Sequence, residues 1–108
     1  MEVKSFQQSG VTIVQISGEV NISTSPDLKK YFEKVISQKV VIDLEKVAYV
    51  DSSGLATFVE ILKKSKSQTG QLALAGLSDK VKSLFEITKL DKLFAIFPNQ
   101  QAALAKIQ

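Results

Sequence analysis

The stretch Asp51-Ser52-Ser53-Gly54-Leu55 sets a carboxylate, two adjacent hydroxyls and a glycine ahead of a helical apolar pattern. Three chemistries suit that order: a helix cap, a catalytic site, or an acceptor for a phosphoryl group. A cap accounts for one or two of the residues, because Asp and Ser oxygens accept hydrogen bonds from the free amides of a first helical turn. Catalysis is narrowed by what the chain lacks. It has no His and no Cys, which excludes a histidine-based triad, a thiolate nucleophile, a disulfide scaffold and a thiolate or imidazole zinc site. Carboxylates, hydroxyls and lysines would have to do the work, and no glycine-rich phosphate loop of the usual spacing accompanies them. The third chemistry is well served, since a phosphate at the amino end of a helix meets unpaired amides and a favourable dipole. Gly54 adds a constraint: a helical glycine costs about 1 kcal/mol relative to alanine, so it implies either close backbone packing or room for something to approach.

A phosphoryl group there adds about −1.5 to −2 charge beside Asp51. Within the domain the helix amides offset part of the repulsion. Across an interface, a partner fitted to a neutral hydroxyl meets bulk and charge that it cannot pair. Such a site releases a partner without unfolding its own domain.

The elements that must hold this stretch can be read from the hydrophobic pattern. Residues Val3 to Gln7 and Val11 to Ser17 flank the turn pair Ser9-Gly10 and predict a hairpin; Val11, Ile13 and one of Val14 and Ile16 point inward, and Gly18-Glu19 ends the second strand. In SPDLKKYFEKVI, Ser25 caps, Pro26 takes the first helical position, and Leu28, Tyr31, Phe32 and Val35 recur at helical spacing. Val40 to Leu44 is a short β-branched run expected of a central strand covered on both faces. The segment EKVAYV then connects to the helix opened by DSSGL, with Leu55, Phe58, Val59 and Leu62 as its apolar stripe. Lys63, Lys64 and Lys66 near its end suit the helix dipole and read as a solvated face. Gln71 to Ala75 is a further strand, Ser78 caps a helix carrying Val81, Leu84 and Phe85, and Leu93 to Phe97 is a last strand stopped by Pro98. Asn99 precedes a closing helix, QQAALAKI. Strands alternate with helices, so the expected fold is α/β, with a mixed, largely parallel sheet, an N-terminal hairpin strand and about four helices in one domain over 1–108.

Composition bounds the partners. With 108 residues, 44% hydrophobic and 23% charged, the chain suits one globular domain. All 14 of its basic residues are lysine and the net charge is +3. Arginine's planar fork, which reads base edges and grips phosphate, is absent, so direct nucleic-acid recognition is not expected. No apolar run suggests a membrane span or a leader, and a cytoplasmic, monomeric protein is the simplest expectation.

Three segments, ISGEVNISTSPDLKKYF, VVIDLEKVAYVDSSGLATFVEILKKSK and LALAGLSDKVKSLFEITKLDKLFAIF, resemble the sulfate transporter and anti-sigma factor antagonist (STAS) domains, above all the small bacterial anti-sigma factor antagonists. The resemblance implies a phosphoacceptor immediately after the aspartate, at Ser52 rather than Ser53, and a partner-binding surface formed by Asn21, Ser23, Thr24, Asp51, Ser53, Gly54 and Leu55, with Gly54 giving a partner clearance. It implies an anti-sigma serine kinase that uses ATP to phosphorylate Ser52, a phosphatase that resets it, and a protein that is a substrate rather than an enzyme, with no cofactor and no metal. Relatives often carry an aspartate where GEVN places Asn21. Asparagine keeps the size and the hydrogen-bonding carbonyl but loses the charge, and a turn residue is an equally good account of it. Two other readings stand beside this one: an accessory STAS subunit of a transporter or other complex in which Ser52 is only a cap, and, ranked last, an enzyme or nucleotide-binding protein. VVIDL also resembles the acid-terminated strand of phospho-receiver domains, but VTIVQIS lacks the early acidic pair that a receiver needs, so Asp43 reads as a strand-ending acid that caps or faces solvent.

Overall fold

The computed structural model describes residues 1–107. Strands β1 (Glu2–Gln8) and β2 (Val11–Val20) form the expected hairpin, paired from Gln8↔Val11 to Glu2↔Ser17. Ser9 (φ 54°) and Gly10 (φ 77°) are both left-handed, the backbone of the two-residue turn that matches strand twist, and glycine takes its half of that turn without steric cost. Helix α1 (Ser25–Phe32) leads to β3 (Lys39–Val50), α2 (Ser52–Ser67), β4 (Gln71–Ala75), α3 (Asp79–Ile87), a 3₁₀ turn (Leu90–Lys92), β5 (Ala95–Phe97) and α4 (Gln100–Ile107). The sheet order is β1-β2-β3-β4-β5, antiparallel at β1–β2 and parallel elsewhere. Parallel neighbours require crossovers, and α1, α2 and α3 supply them.

The strand pleat divides the core in two. Val14, Ile16, Ile42, Leu44 and Leu74 face α1, α2 and α3, where Phe32, Phe58 and Phe85 fill the layer. Val11, Ile13, Val41, Ala73 and Ala75 face α4 and meet Ala103, Leu104 and Ile107. Both Val14 and Ile16 are therefore buried, not one of them, because β2 lies inside the sheet with both faces covered.

Several elements run differently from their sequence pattern. β2 does not end at Gly18-Glu19: it continues to Val20, and EKVAYV is not a connection but the second half of β3, paired as Ser17↔Lys46 through Val20↔Val50, with one register shift just before Ser17 and a second between Gly18 and Glu19. Bulges carry the extra β3 residues, and they break the alternation that a sequence pattern relies on. Thr24, not Ser25, is the N-cap of α1, and Ser25 turns inward to donate its hydroxyl to Asn21 O at 2.7 Å. α1 stops at Phe32, and residues 33–37 form turns. β5 is shorter than Leu93 to Phe97, since a left-handed Lys89 (φ 61°) ends the α3 region and the 3₁₀ turn uses the next residues. Ile61 joins Leu55, Phe58 and Leu62 in the buried stripe of α2, while Val59 is only half-buried. Asp43 neither ends its strand nor faces solvent. It is 5% exposed, accepts the Glu45 N–H at 2.9 Å beside the first bulge, and accepts a second hydrogen bond from Gln100 Nε2 at the start of α4. The strand continues past it, so its carboxylate is used to fix the bulge and the last helix.

Candidate functional site

The prolonged ends of β2 and β3 bring two loops together. Asp51 leaves β3 with an extended backbone (φ −95°, ψ −176°), its N–H donating to Val20 O at 3.1 Å. Its Oδ1 accepts the Gly54 N–H at 2.8 Å, the side-chain cap expected of this residue type. Its Oδ2 reaches across to accept the Ile22 N–H at 3.1 Å. One carboxylate thus ties the start of α2 to the β2–α1 loop. Ser52, the first residue of α2, is exposed; Ser53 is half-buried, and its carbonyl accepts the Thr57 hydroxyl at 2.9 Å. Helix geometry leaves the N–H groups of Ser52 and Ser53 without an intrahelical acceptor.

Gly54 is buried, and the choice between packing and clearance falls to packing. A Cβ there would lie 2.5 Å from Val20 O and 2.9 Å from Val50 Cγ1, so the helix start is seated on the ends of β2 and β3 and offers a partner no open space. Leu55 is 6% exposed and forms part of the floor of a groove of about 430 Å³ whose lining also includes Ser52, Tyr49, Val81 and Leu84, with Lys80 on its rim.

On the facing loop, Asn21 is a structural organiser. Its Oδ1 accepts the N–H groups of Ser23 (2.9 Å) and Thr24 (3.1 Å), and its backbone N–H donates to Thr24 Oγ at 2.9 Å. The Thr24 hydroxyl in turn donates to Glu19 O at 3.0 Å. An aspartate would accept the same two bonds, so its neutral replacement preserves the loop. Asn21 Oδ1 and the Thr24 hydroxyl are committed within the loop, and Ser23 is exposed.

The fold therefore gathers Asn21, Ser23, Thr24, Asp51, Ser52, Ser53, Gly54 and Leu55 at one end of the sheet, with Gly54 beneath the surface. It adds two residues that the sequence pattern did not single out. Ile22 is 72% exposed and Tyr49 is 44% exposed. Tyr49 was hidden in a segment that lacks strand alternation. For Ile22 the available signal was one large apolar residue inside the polar turn NISTS. Ile22 and Ser53 line one shallow hollow of about 280 Å³ between α1 and α2. Among the described residues, no three of His, Cys, Asp and Glu converge as metal ligands, and no helix is long and apolar enough to cross a membrane.

Comparison with known proteins places this arrangement. Residues 3–103 match the family model described as STAS domain. The anti-sigma-B factor antagonist of Listeria monocytogenes is 35% identical over 99 residues, 89% of this chain and 86% of that protein. The anti-sigma-B factor antagonist of Staphylococcus aureus is 30% identical over 99 residues, 89% of this chain and 92% of that protein. Among solved structures, an anti-sigma factor antagonist from Mycobacterium paratuberculosis superposes with a TM-score of 0.89 at 28% identity, covering 98% of this chain and 92% of that one. The matched span takes in nearly all of β1, strands β2 to β5, both loops of the site and α2, and on these grounds the chain belongs to the STAS domain family.

Proposed function

We propose that this chain is an anti-sigma factor antagonist working by partner switching. Unphosphorylated, it binds an anti-sigma serine kinase through the surface around Ser52. The kinase then transfers the γ-phosphoryl group of ATP to the Ser52 hydroxyl with ADP as leaving group, the partner is released, and a phosphatase restores the hydroxyl. The protein is a substrate and a binding module rather than an enzyme, acting as a monomer in the cytoplasm, with neither cofactor nor nucleic acid bound.

The observation that carries this reading is the setting of Ser52: an exposed hydroxyl at the first position of a capped helix, on the rim of an apolar groove. Two relatives that match 89% of the chain are named anti-sigma-B factor antagonists, which supports the same role. A dianion on Ser52 lies against the positive end of the α2 dipole and beside unpaired amides, so the domain tolerates it. A partner seated over the groove has to desolvate that charge with nothing to pair it, which expels the partner. Incubation with the cognate kinase and ATP, followed by mass spectrometry, tests the assignment. Phosphate is expected at Ser52 and absent from Ser52→Ala; phosphate at another residue, or undiminished in Ser52→Ala, overturns it.

A further inference from the structure

We propose that Ile22 is the apolar anchor by which the anti-sigma kinase grips this chain, and that Asp51 is the positioning residue that presents it. The inference rests on the partner-switching reading above.

Ile22 stands 72% exposed on a loop whose backbone is tied on every side. Asn21 Oδ1 holds the two amides that follow Ile22, Asn21 O accepts the Ser25 N–H at 2.9 Å, and Asp51 Oδ2 holds the amide of Ile22 itself. The ordering entropy of this loop is already spent in folding. Covering Ile22 therefore returns the gain of apolar burial without the usual cost of immobilising a loop.

The position of Ser52 supplies the second argument. A phosphate acts over about 8 Å or less at physiological salt, so a partner that it dismisses must be in contact close by. Ser52 follows directly on Asp51, whose carboxylate holds Ile22, and Ile22 shares its hollow with Ser53. Ser52 lines the groove and the adjoining Ser53 lines the hollow of Ile22, so a partner that spans both serines meets Ile22. Beside it Ser23 is exposed, and Lys29, ion-paired to Glu60, lines the same hollow, which gives the arrangement of an apolar centre within a polar rim. The complementary partner carries a small apolar pocket, sized for a branched aliphatic side chain, bordered by polar groups.

The test uses the full chain and a panel of the purified anti-sigma serine kinases of the organism that makes it, with binding followed by calorimetry. Wild type binds one member; Ile22→Ala weakens that binding about tenfold or more, with an unchanged melting temperature, while Ile22→Val retains most of the affinity. Asp51→Asn keeps one oxygen for Gly54 but presents an amide where Ile22 needs an acceptor. In that variant the Ile22 amide exchanges with deuterium faster while the Gly54 amide stays protected. Equal affinity for wild type and Ile22→Ala overturns the anchor and leaves the function intact, and unchanged Ile22 exchange in Asp51→Asn overturns the positioning role. Failure of every kinase to bind wild type removes the functional reading and this inference with it. Self-association of wild type that is lost in Ile22→Ala assigns the residue to a second copy of the chain instead.

Discussion

A Cβ on Gly54 would sit 2.5 Å from the carbonyl oxygen of Val20, closer than real Cβ contacts come. Helix α2 is thereby held directly against the end of β2, and the position of Ser52 relative to the β2–α1 loop depends on the absence of a side chain two residues later. Gly54→Ala gains up to about 1 kcal/mol of helix propensity but forces the backbone of β2 or α2 to move, an overpacking cost of about 1–3 kcal/mol. Urea unfolding is expected to show net destabilisation, and a stabilised Gly54→Ala would contradict the close seating.

Ser52 substitutions separate fold from function. Ser52→Asp places an acid at the first position of α2, where the dipole contributes about 0.3–1 kcal/mol in its favour, so its melting temperature should equal or exceed that of wild type. The same variant should lose the kinase in a pull-down, while Ser52→Ala keeps it. Retention of the kinase by Ser52→Asp would point to the accessory-subunit reading.

Asn21 tests what the loop needs. Asn21→Ala removes the acceptor of two amides and should cost about 1 kcal/mol, seen as a lower denaturant midpoint and faster exchange at Ser23 and Thr24. Asn21→Asp keeps both acceptors and should stay within about 0.5 kcal/mol of wild type. Comparing phosphorylation rates of wild type and Asn21→Asp by the same kinase then isolates the effect of charge on a loop of unchanged geometry.

Asp43 is a buried acid with a long-range partner, joining the β3 bulge at Glu45 to Gln100 of α4. Asp43→Ala removes the acceptor of both donors, a loss of about 1 kcal/mol or more. Exchange of α4 amides should accelerate more than that of α2, because the lost bond lies on the α4 side of the sheet.

Much of this fold is legible in the chain. The hairpin follows from Ser9-Gly10 and the caps at Asp51 and Ser78 from their residue types, both accepting amides three residues ahead, from Gly54 and Val81, whereas the cap expected at Ser25 falls to Thr24. Helix α2 and the hydroxyls at its first turn were readable for the same reason: capping and apolar periodicity are local, and local rules act on neighbouring residues. The lengths of β2 and β3 were not readable, because two bulges disturb the alternation and only pairing between Val20 and Val50 extends the strands. The same pairing decides the site. It carries Asp51 to the β2–α1 loop, where its second oxygen finds the amide of Ile22, and it seats Gly54 on Val20. The sequence by itself determined the caps at Asp51 and Ser78 and the apolar stripes that pack. The tertiary structure alone decided that Asp51 reaches the amide of Ile22 and that Ile22 and Tyr49 stand exposed, since contacts between residues distant in the chain depend on strand register, which leaves no local trace.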